Sequence, residues 1–201
     1  MFDARLRPLI DPPLNAAGRR LAQLGVSATG LTFTGLALGL AGAGAIAMGA
    51  LGWGLVLICA NRLCDGLDGA VAHVRGASDL GGYYDIVADF AFYVSIPTAF
   101  GIMDPAYTLP ALVLVASFVL TGVSFLAFAV IAAKRGEETS AHGAKSFFYS
   151  TGLAEGAETI AVFIAMCLAP QWFAPIAYAY AALCLATVVQ RSAMAAARFG
   201  R

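Results

Sequence analysis

The chain has 201 residues, 60% of them hydrophobic and only 12% charged. A soluble domain would carry about 25% charged residues, so a water-soluble globule is excluded and an integral membrane protein is expected. The formal net charge is zero, which excludes a protein that binds nucleic acid through bulk charge.

Residues 1–24 form a mixed juxtamembrane segment in which Leu6, Leu9, Ile10, Leu14, Leu21 and Leu24 are interleaved with Arg5, Arg7, Arg19 and Arg20. The pattern suits an amphipathic helix on the membrane surface, although a solvated basic tail would read similarly. Asp3, Arg5, Arg7 and Asp11 interrupt the segment and Pro12-Pro13 follows, so no secretory signal peptide is expected.

A membrane span needs roughly 20 predominantly apolar residues. Residues 25–201 offer six such stretches, at about 29–48, 53–74, 80–103, 109–133, 146–168 and 173–197. The breaks between them are residues 49–52, the turn Arg75-Gly76-Ala77-Ser78, Asp104-Pro105, the polar loop 134–145, and Pro170. The first stretch is rich in Gly and Ala, which allow close helix contact in lipid. The expected fold is all-α: a six-helix membrane domain over 25–201 with an N-terminal amphipathic surface helix over 1–24. The four cysteines (Cys59, Cys64, Cys167, Cys184) fall in apolar runs without zinc-site spacing, so neither a disulfide nor zinc is expected.

The lysines and arginines set the orientation. Those outside the spans fall in the N-terminal segment, the second-to-third loop, the fourth-to-fifth loop and the C-terminal end. Both termini and these two loops are therefore expected on the cytoplasmic side.

Between Cys64 and Asp89 lie four aspartates, Asp65, Asp68, Asp85 and Asp89, in otherwise apolar sequence. Intramembrane acids are costly and by default functional. Asp65 and Asp68, three apart, point within roughly 60° of each other on a helix, and Asp85 and Asp89, four apart, within about 40°. The short turn between the two helices makes them antiparallel neighbours, so all four carboxylates can converge. Four anions in one pocket need a compensating charge. Hard cations supply it, and Mg²⁺ or Mn²⁺ suits carboxylates and phosphate oxygens, two ions being a common arrangement for phosphoryl chemistry. Gly66 and Gly69 flank Asp68, and Gly81-Gly82 precede Asp85, so the missing side chains would let a phosphate ligand approach the backbone. Ion transport, or a structural pairing of one or two acids with Arg62, is the competing reading.

These residues resemble the signature of the CDP-alcohol phosphotransferase (CDP-alcohol phosphatidyltransferase) family, D-x-x-D-G-x-x-A-R-x8-G-x3-D-x3-D. Asp65-x-x-Asp68-Gly69-x-x-Ala72 and Gly81-x3-Asp85-x3-Asp89 match it. His73 stands at the motif arginine, and the interval from it to Gly81 is one residue short. Arg75 is a candidate for the missing positive charge. Upstream, Thr32 retains the threonine of the family's Pro-Asn-x-x-Thr. The resemblance implies a six-helix enzyme, often a homodimer, with a cytoplasmic active site, here in a bacterial inner membrane. It implies metal binding by Asp65, Asp68 and Asp85, and Asp89 as general base sharing a metal. It further implies donor contacts around Thr32, Gly69, Ala72, Arg75 and Gly81. The implied reaction passes a phosphatidyl group from CDP-diacylglycerol to a small alcohol, with release of CMP.

For the acceptor, Glu155 and Glu158 in the fifth span share a helix face by their spacing and suit hydroxyls or an ammonium group. Lys134, Arg135 and Lys145 flank the same pocket mouth and suit a phosphorylated acceptor, although orientation alone also explains them. The acids favour a neutral polyol or amino alcohol. His142 reads as a solvated loop residue, and Tyr83 and Tyr84 as interface residues. Four alternatives stay open: a non-lipid CDP-alcohol donor, a phosphorylated polyol acceptor, a catalytically lapsed family member, and a cation transporter. The last is disfavoured because the acids cluster in one half of the membrane.

Overall fold

The computed structural model describes residues 3–136 and 153–200. Among these, helix is the only regular structure. It comprises α1 (Asp3–Gln23), α2 (Ala28–Ala47), α3 (Leu51–Arg75), α4 (Asp79–Met103), α5 (Thr108–Lys134), α6 (Gly156–Leu168) and α7 (Phe173–Phe199), with short 3-10 turns before α5 and α7. The N-terminal helix is thus followed by six more, in the order the sequence predicts. α2, α4, α5 and α7 are long and apolar enough to cross a membrane, the last two taken with their leading 3-10 turns. α3 has the length to span, at 25 residues, but Arg62, Asp65 and Asp68 interrupt its apolar character. Exposed Leu112, Val119, Val123 and Val130 along α5 turn apolar surface outward, as an integral membrane protein requires.

Local chemistry explains the helix ends. The Ser27 hydroxyl accepts from Gly30 N at 3.0 Å to start α2, and Ser78 accepts from Gly81 N at 3.1 Å to start α4. Gly76 (φ 97°) ends α3 in a conformation that disfavours any side chain. Asp104 accepts from Ala106 N at 2.9 Å and leads the turn into α5.

One boundary differs from expectation. Residues 146–152 of the predicted fifth span lie outside the described residues, and residues 153–155 are not helical. The N–H groups of Leu153 and Ala154 donate to Thr187 Oγ1 on α7, at 3.2 and 3.0 Å. That side chain satisfies them in place of helical carbonyls. Glu155 therefore has extended backbone (φ −119°, ψ 179°) and precedes α6. It does not share a helical face with Glu158 as expected.

Glycines set the helix contacts that position the site. A methyl group on Gly39 would lie 2.6 Å from Phe92 on α4 and 3.1 Å from the Asn61 amide on α3. One on Gly35 would lie 3.1 Å from Cys64 Cβ. α2 thus presents a bare strip on which α3 and α4 close, the means of helix association available where lipid removes the hydrophobic drive. α1 packs on α3 in the same way, since a methyl on Gly18 would lie 2.5 Å from Ala70 Cβ. The shared core joins Ile58, Phe92, Ile96, Leu114, Phe163 and Phe173.

Candidate active site

Three helices contribute one wall each to a single cavity. α2 supplies Thr32, Gly35 and Leu36; α3 supplies Asn61, Arg62, Asp65 and Asp68; α4 supplies Asp85, Ala88 and Asp89. The helical spacings of the two acid pairs therefore converge as expected. Asp65, Asp68 and Asp85 each offer a carboxylate oxygen within 4.8 Å of the others. Three hard oxygen donors at this separation fit a divalent cation such as Mg²⁺ or Mn²⁺.

The four acids are not equivalent. Asp68 is buried, and its Oδ2 lies 2.6 Å from the Thr32 hydroxyl. The same hydroxyl is 3.1 Å from the Ala28 carbonyl. With one proton to give, it serves the shorter and charge-assisted contact. Asp89 instead accepts a hydrogen bond from Arg62 Nη2 at 3.0 Å, while Arg62 Nη1 is 3.5 Å from Asp65 Oδ2. Arg62 is held in turn: its Nε donates to Asn61 Oδ1 at 2.7 Å, and the Asn61 amide donates to the Gly35 carbonyl at 2.8 Å. Its guanidinium sits 4.5 Å from the Phe92 ring centre and 5.6 Å from that of Tyr93.

Arg62 and Asn61 are the site residues that sequence reasoning missed as functional. The available signal was a cation inside an apolar stretch, one helical turn before Asp65. By sequence alone that cation reads as a structural partner for the acids.

A model of the CDP-alcohol phosphatidyltransferase family matches residues 26–197. The chain belongs to this family. It is accordingly a transferase of substituted phosphate groups, which sets the transporter reading aside. It is 44% identical over 195 residues to the inner membrane protein YnjF of Escherichia coli K12, covering 95% of this chain and 93% of that protein. Its fold is similar to that of the Mycobacterium tuberculosis phosphatidylinositol phosphate synthase PgsA1. The PgsA1 structure with CDP-DAG bound has a TM-score of 0.63 and 22% identity, covering 89% of this chain and 90% of that one. The structure of the same enzyme with manganese and citrate has a TM-score of 0.65 and 21% identity, covering 89% and 86%.

Gly66 and the expected donor contacts Gly69, Ala72, Arg75 and Gly81 fall outside the cavity wall of this phosphatidyltransferase. A methyl on Gly66 would lie 2.8 Å from Leu14 of α1, so this glycine makes room for a helix and not for a phosphate as expected. Gly69 has open space where a side chain would be. The Ala72 carbonyl accepts from Gly76 N at 3.0 Å at the end of α3, and Gly81 N is taken by the Ser78 cap. Arg75 donates to the carbonyls of Gly25 and Val26, at 3.1 and 2.8 Å, which ties α3 to the loop between α1 and α2.

On the expected acceptor side, Lys134 is the last residue of α5. Arg135 donates to the Arg198 and Phe199 carbonyls at 3.2 and 2.9 Å, completing the C-terminus of α7. Lys145 and His142 lie outside the described residues. Glu158 occupies the first turn of α6. Thr159 Oγ1 donates to the Glu155 carbonyl at 2.9 Å and lies 2.7 Å from the Tyr180 hydroxyl. A methyl on Gly156 would be 3.5 Å from the Tyr93 hydroxyl. Tyr93 flanks Arg62, so the start of α6 adjoins the acid cavity.

Proposed function

We propose that this enzyme transfers a phosphatidyl group from CDP-diacylglycerol to a small alcohol and releases CMP. The observation that carries the reading is the convergence of Asp65, Asp68 and Asp85 within 4.8 Å, in one cavity with Asp89, in a chain of this family. The CDP-DAG bound to the mycobacterial relative supports the donor, and the manganese of its second structure supports a divalent ion.

Asp65, Asp68 and Asp85 would hold Mg²⁺ or Mn²⁺, in two ions with Asp89 sharing one. Such ions, when bound, polarise the pyrophosphate and neutralise charge on the departing CMP. Thr32 acts through Asp68, fixing the carboxylate that faces the cation. Asp89 acts as general base. The acceptor hydroxyl oxygen forms a bond to the phosphorus on the lipid side. The bond from that phosphorus to the bridging pyrophosphate oxygen breaks, CMP leaves with the electron pair, and the hydroxyl proton passes to the Asp89 carboxylate. The open flank of Gly69 leaves the backbone accessible to the donor near Ala72 and Gly81.

Glu155 and Glu158, at the start of α6, line the acceptor side and accept hydrogen bonds from a neutral polyol or amino alcohol. Arg135 is engaged by the α7 carbonyls, which leaves Lys134 and Lys145 as the cations for a phosphorylated acceptor and favours the neutral one. The distribution of lysine and arginine supports a cytoplasmic side for the termini and the site. The E. coli relative supports a bacterial inner membrane. Residues 1–24 serve as the juxtamembrane segment and 25–201 as the catalytic membrane domain, functioning as a homodimer.

The test is CMP release by purified protein in detergent with CDP-diacylglycerol, Mg²⁺ and a panel of alcohols. The expected result is Mg²⁺-dependent release with one class of acceptor, abolished by Asp89→Asn. No CMP with any acceptor, from protein that binds Mn²⁺, overturns the lipid-donor reading.

A further inference from the structure

We propose that Arg62 is a positioning residue for Asp89, itself locked by Asn61 and the Phe92 ring; this rests on the reading of Asp89 as general base. The guanidinium is constrained at two places, and its Asn61 partner at a third. Nε is fixed by Asn61 Oδ1 at 2.7 Å. One face lies against Phe92, 4.5 Å from the ring centre. Asn61 is pinned to α2 through the Gly35 carbonyl at 2.8 Å and is itself buried. With the plane and one edge fixed, Nη2 is aimed at Asp89 Oδ1.

Both functions of the Asn61 amide are used, its oxygen by Arg62 and its nitrogen by Gly35, so its orientation is determined too. The contact to Asp65 is longer, 3.5 Å against 3.0 Å, so the clamp is directed to the acid outside the three-carboxylate group. The hydrogen bond at Oδ1 restrains rotation of the Asp89 carboxylate. Oδ2 is then the oxygen presented to the acceptor proton. The chain of contacts runs from the α2 backbone through α3 to α4, and it exists because Gly35 and Gly39 let the three helices close.

Two other roles compete. Arg62 can be a counter-ion that vies with the metal for Asp89, or a structural pin between α3 and α4. The experiment separates them in the full-length protein in detergent, with Arg62→Lys, Arg62→Gln and Asn61→Ala. It measures kcat and the donor KM from CMP release, Mn²⁺ affinity by electron paramagnetic resonance, and the melting temperature. Lysine keeps the charge but lacks the planar fork. A positioning role predicts a kcat loss of about tenfold for Arg62→Lys and about a hundredfold for Arg62→Gln, the scale of a misplaced catalytic group. Asn61→Ala is expected to lose about tenfold by the same route. The donor KM and Mn²⁺ affinity should stay within about threefold in Arg62→Lys and Asn61→Ala, because both keep a positive charge beside Asp65 and Asp89.

Unchanged kcat with a lowered melting temperature makes Arg62 a structural pin and overturns the proposal. Tighter Mn²⁺ binding with kcat retained makes it a competing counter-ion and overturns it equally. If Arg62→Gln fails to fold, Arg62→Lys and Asn61→Ala decide on the same criteria. A wild-type protein that releases no CMP brings down the base reading and this proposal together. An active wild type with an equally active Arg62→Gln brings down this proposal alone.

Discussion

Thr32 on α2 and Asp68 on α3 meet through a buried hydrogen bond of 2.6 Å between the hydroxyl and Oδ2. The residues are 36 apart in sequence, yet this contact sets the orientation of one of the three acids that converge. It also gives the threonine a fixed partner within the cavity that both residues line.

Thr32→Val keeps the shape of the side chain and removes the donor. A buried acceptor left without its partner costs about 1–3 kcal/mol. The expected outcome is a lower melting temperature and Mn²⁺ affinity reduced about tenfold, the factor that about 1.4 kcal/mol of lost carboxylate orientation produces. Thr32→Ser, which restores the hydroxyl, should recover most of both.

The strip of glycines on α2 is expected to be sensitive in a position-specific way. Gly39→Val drives atoms into Phe92 and Asn61, and overpacking of this kind costs about 1–3 kcal/mol. It should also lower kcat, because the same two side chains hold Arg62. Gly44 has nothing within 4 Å of where a side chain would be, so Gly44→Ala should be neutral or stabilise by about 0.5–1 kcal/mol. Equal effects at the two positions in thermal unfolding would contradict the packing described.

α1 is held on α3 through Gly18 and Gly66. Gly18→Val should separate the two helices, since the clash is with the rigid Cβ of Ala70. The readout is limited proteolysis within residues 1–24, expected to accelerate in Gly18→Val. The control is Gly25→Ala, at a glycine with no close neighbours, whose φ of 87° predicts loop strain without loss of the helix contact.

Metal dependence should divide the acids. EDTA should abolish CMP release, and Mg²⁺ or Mn²⁺ should restore it. Asp68→Asn should weaken Mn²⁺ binding by at least about tenfold, since it removes a charged ligand from the three-carboxylate group. Asp89→Asn should weaken it less while eliminating turnover. Titrations of the two variants side by side give the comparison, and a reversed order would exchange their roles.

Much of this was legible in the residues. The stop at Asp104-Pro105 and the pairing of acids at helical spacing are local, and both survive in the folded chain; of the six apolar stretches, four become helices long and apolar enough to cross a membrane among the described residues. Gly66 shows the limit. Beside Asp68 it looked like space for a phosphate, and in the fold it is space for Leu14. Arg75 and Arg135 show it again: both read as cations for an anion, and in the fold both donate to backbone carbonyls of other segments. Glu155 looked helical, but Thr187 on a distant helix takes up the N–H groups just before it.

Periodicity within one helix and the reach of a short turn depend only on near neighbours along the chain, so the sequence was sufficient for the membrane class, the helix order and the convergence of four aspartates. Which acid meets Thr32, which meets Arg62, and which glycine faces a helix instead of a ligand depend on how α1, α2, α3 and α4 rotate against one another. In lipid that rotation is set by small residues and a few polar contacts between helices, and no single segment contains both halves of such a contact.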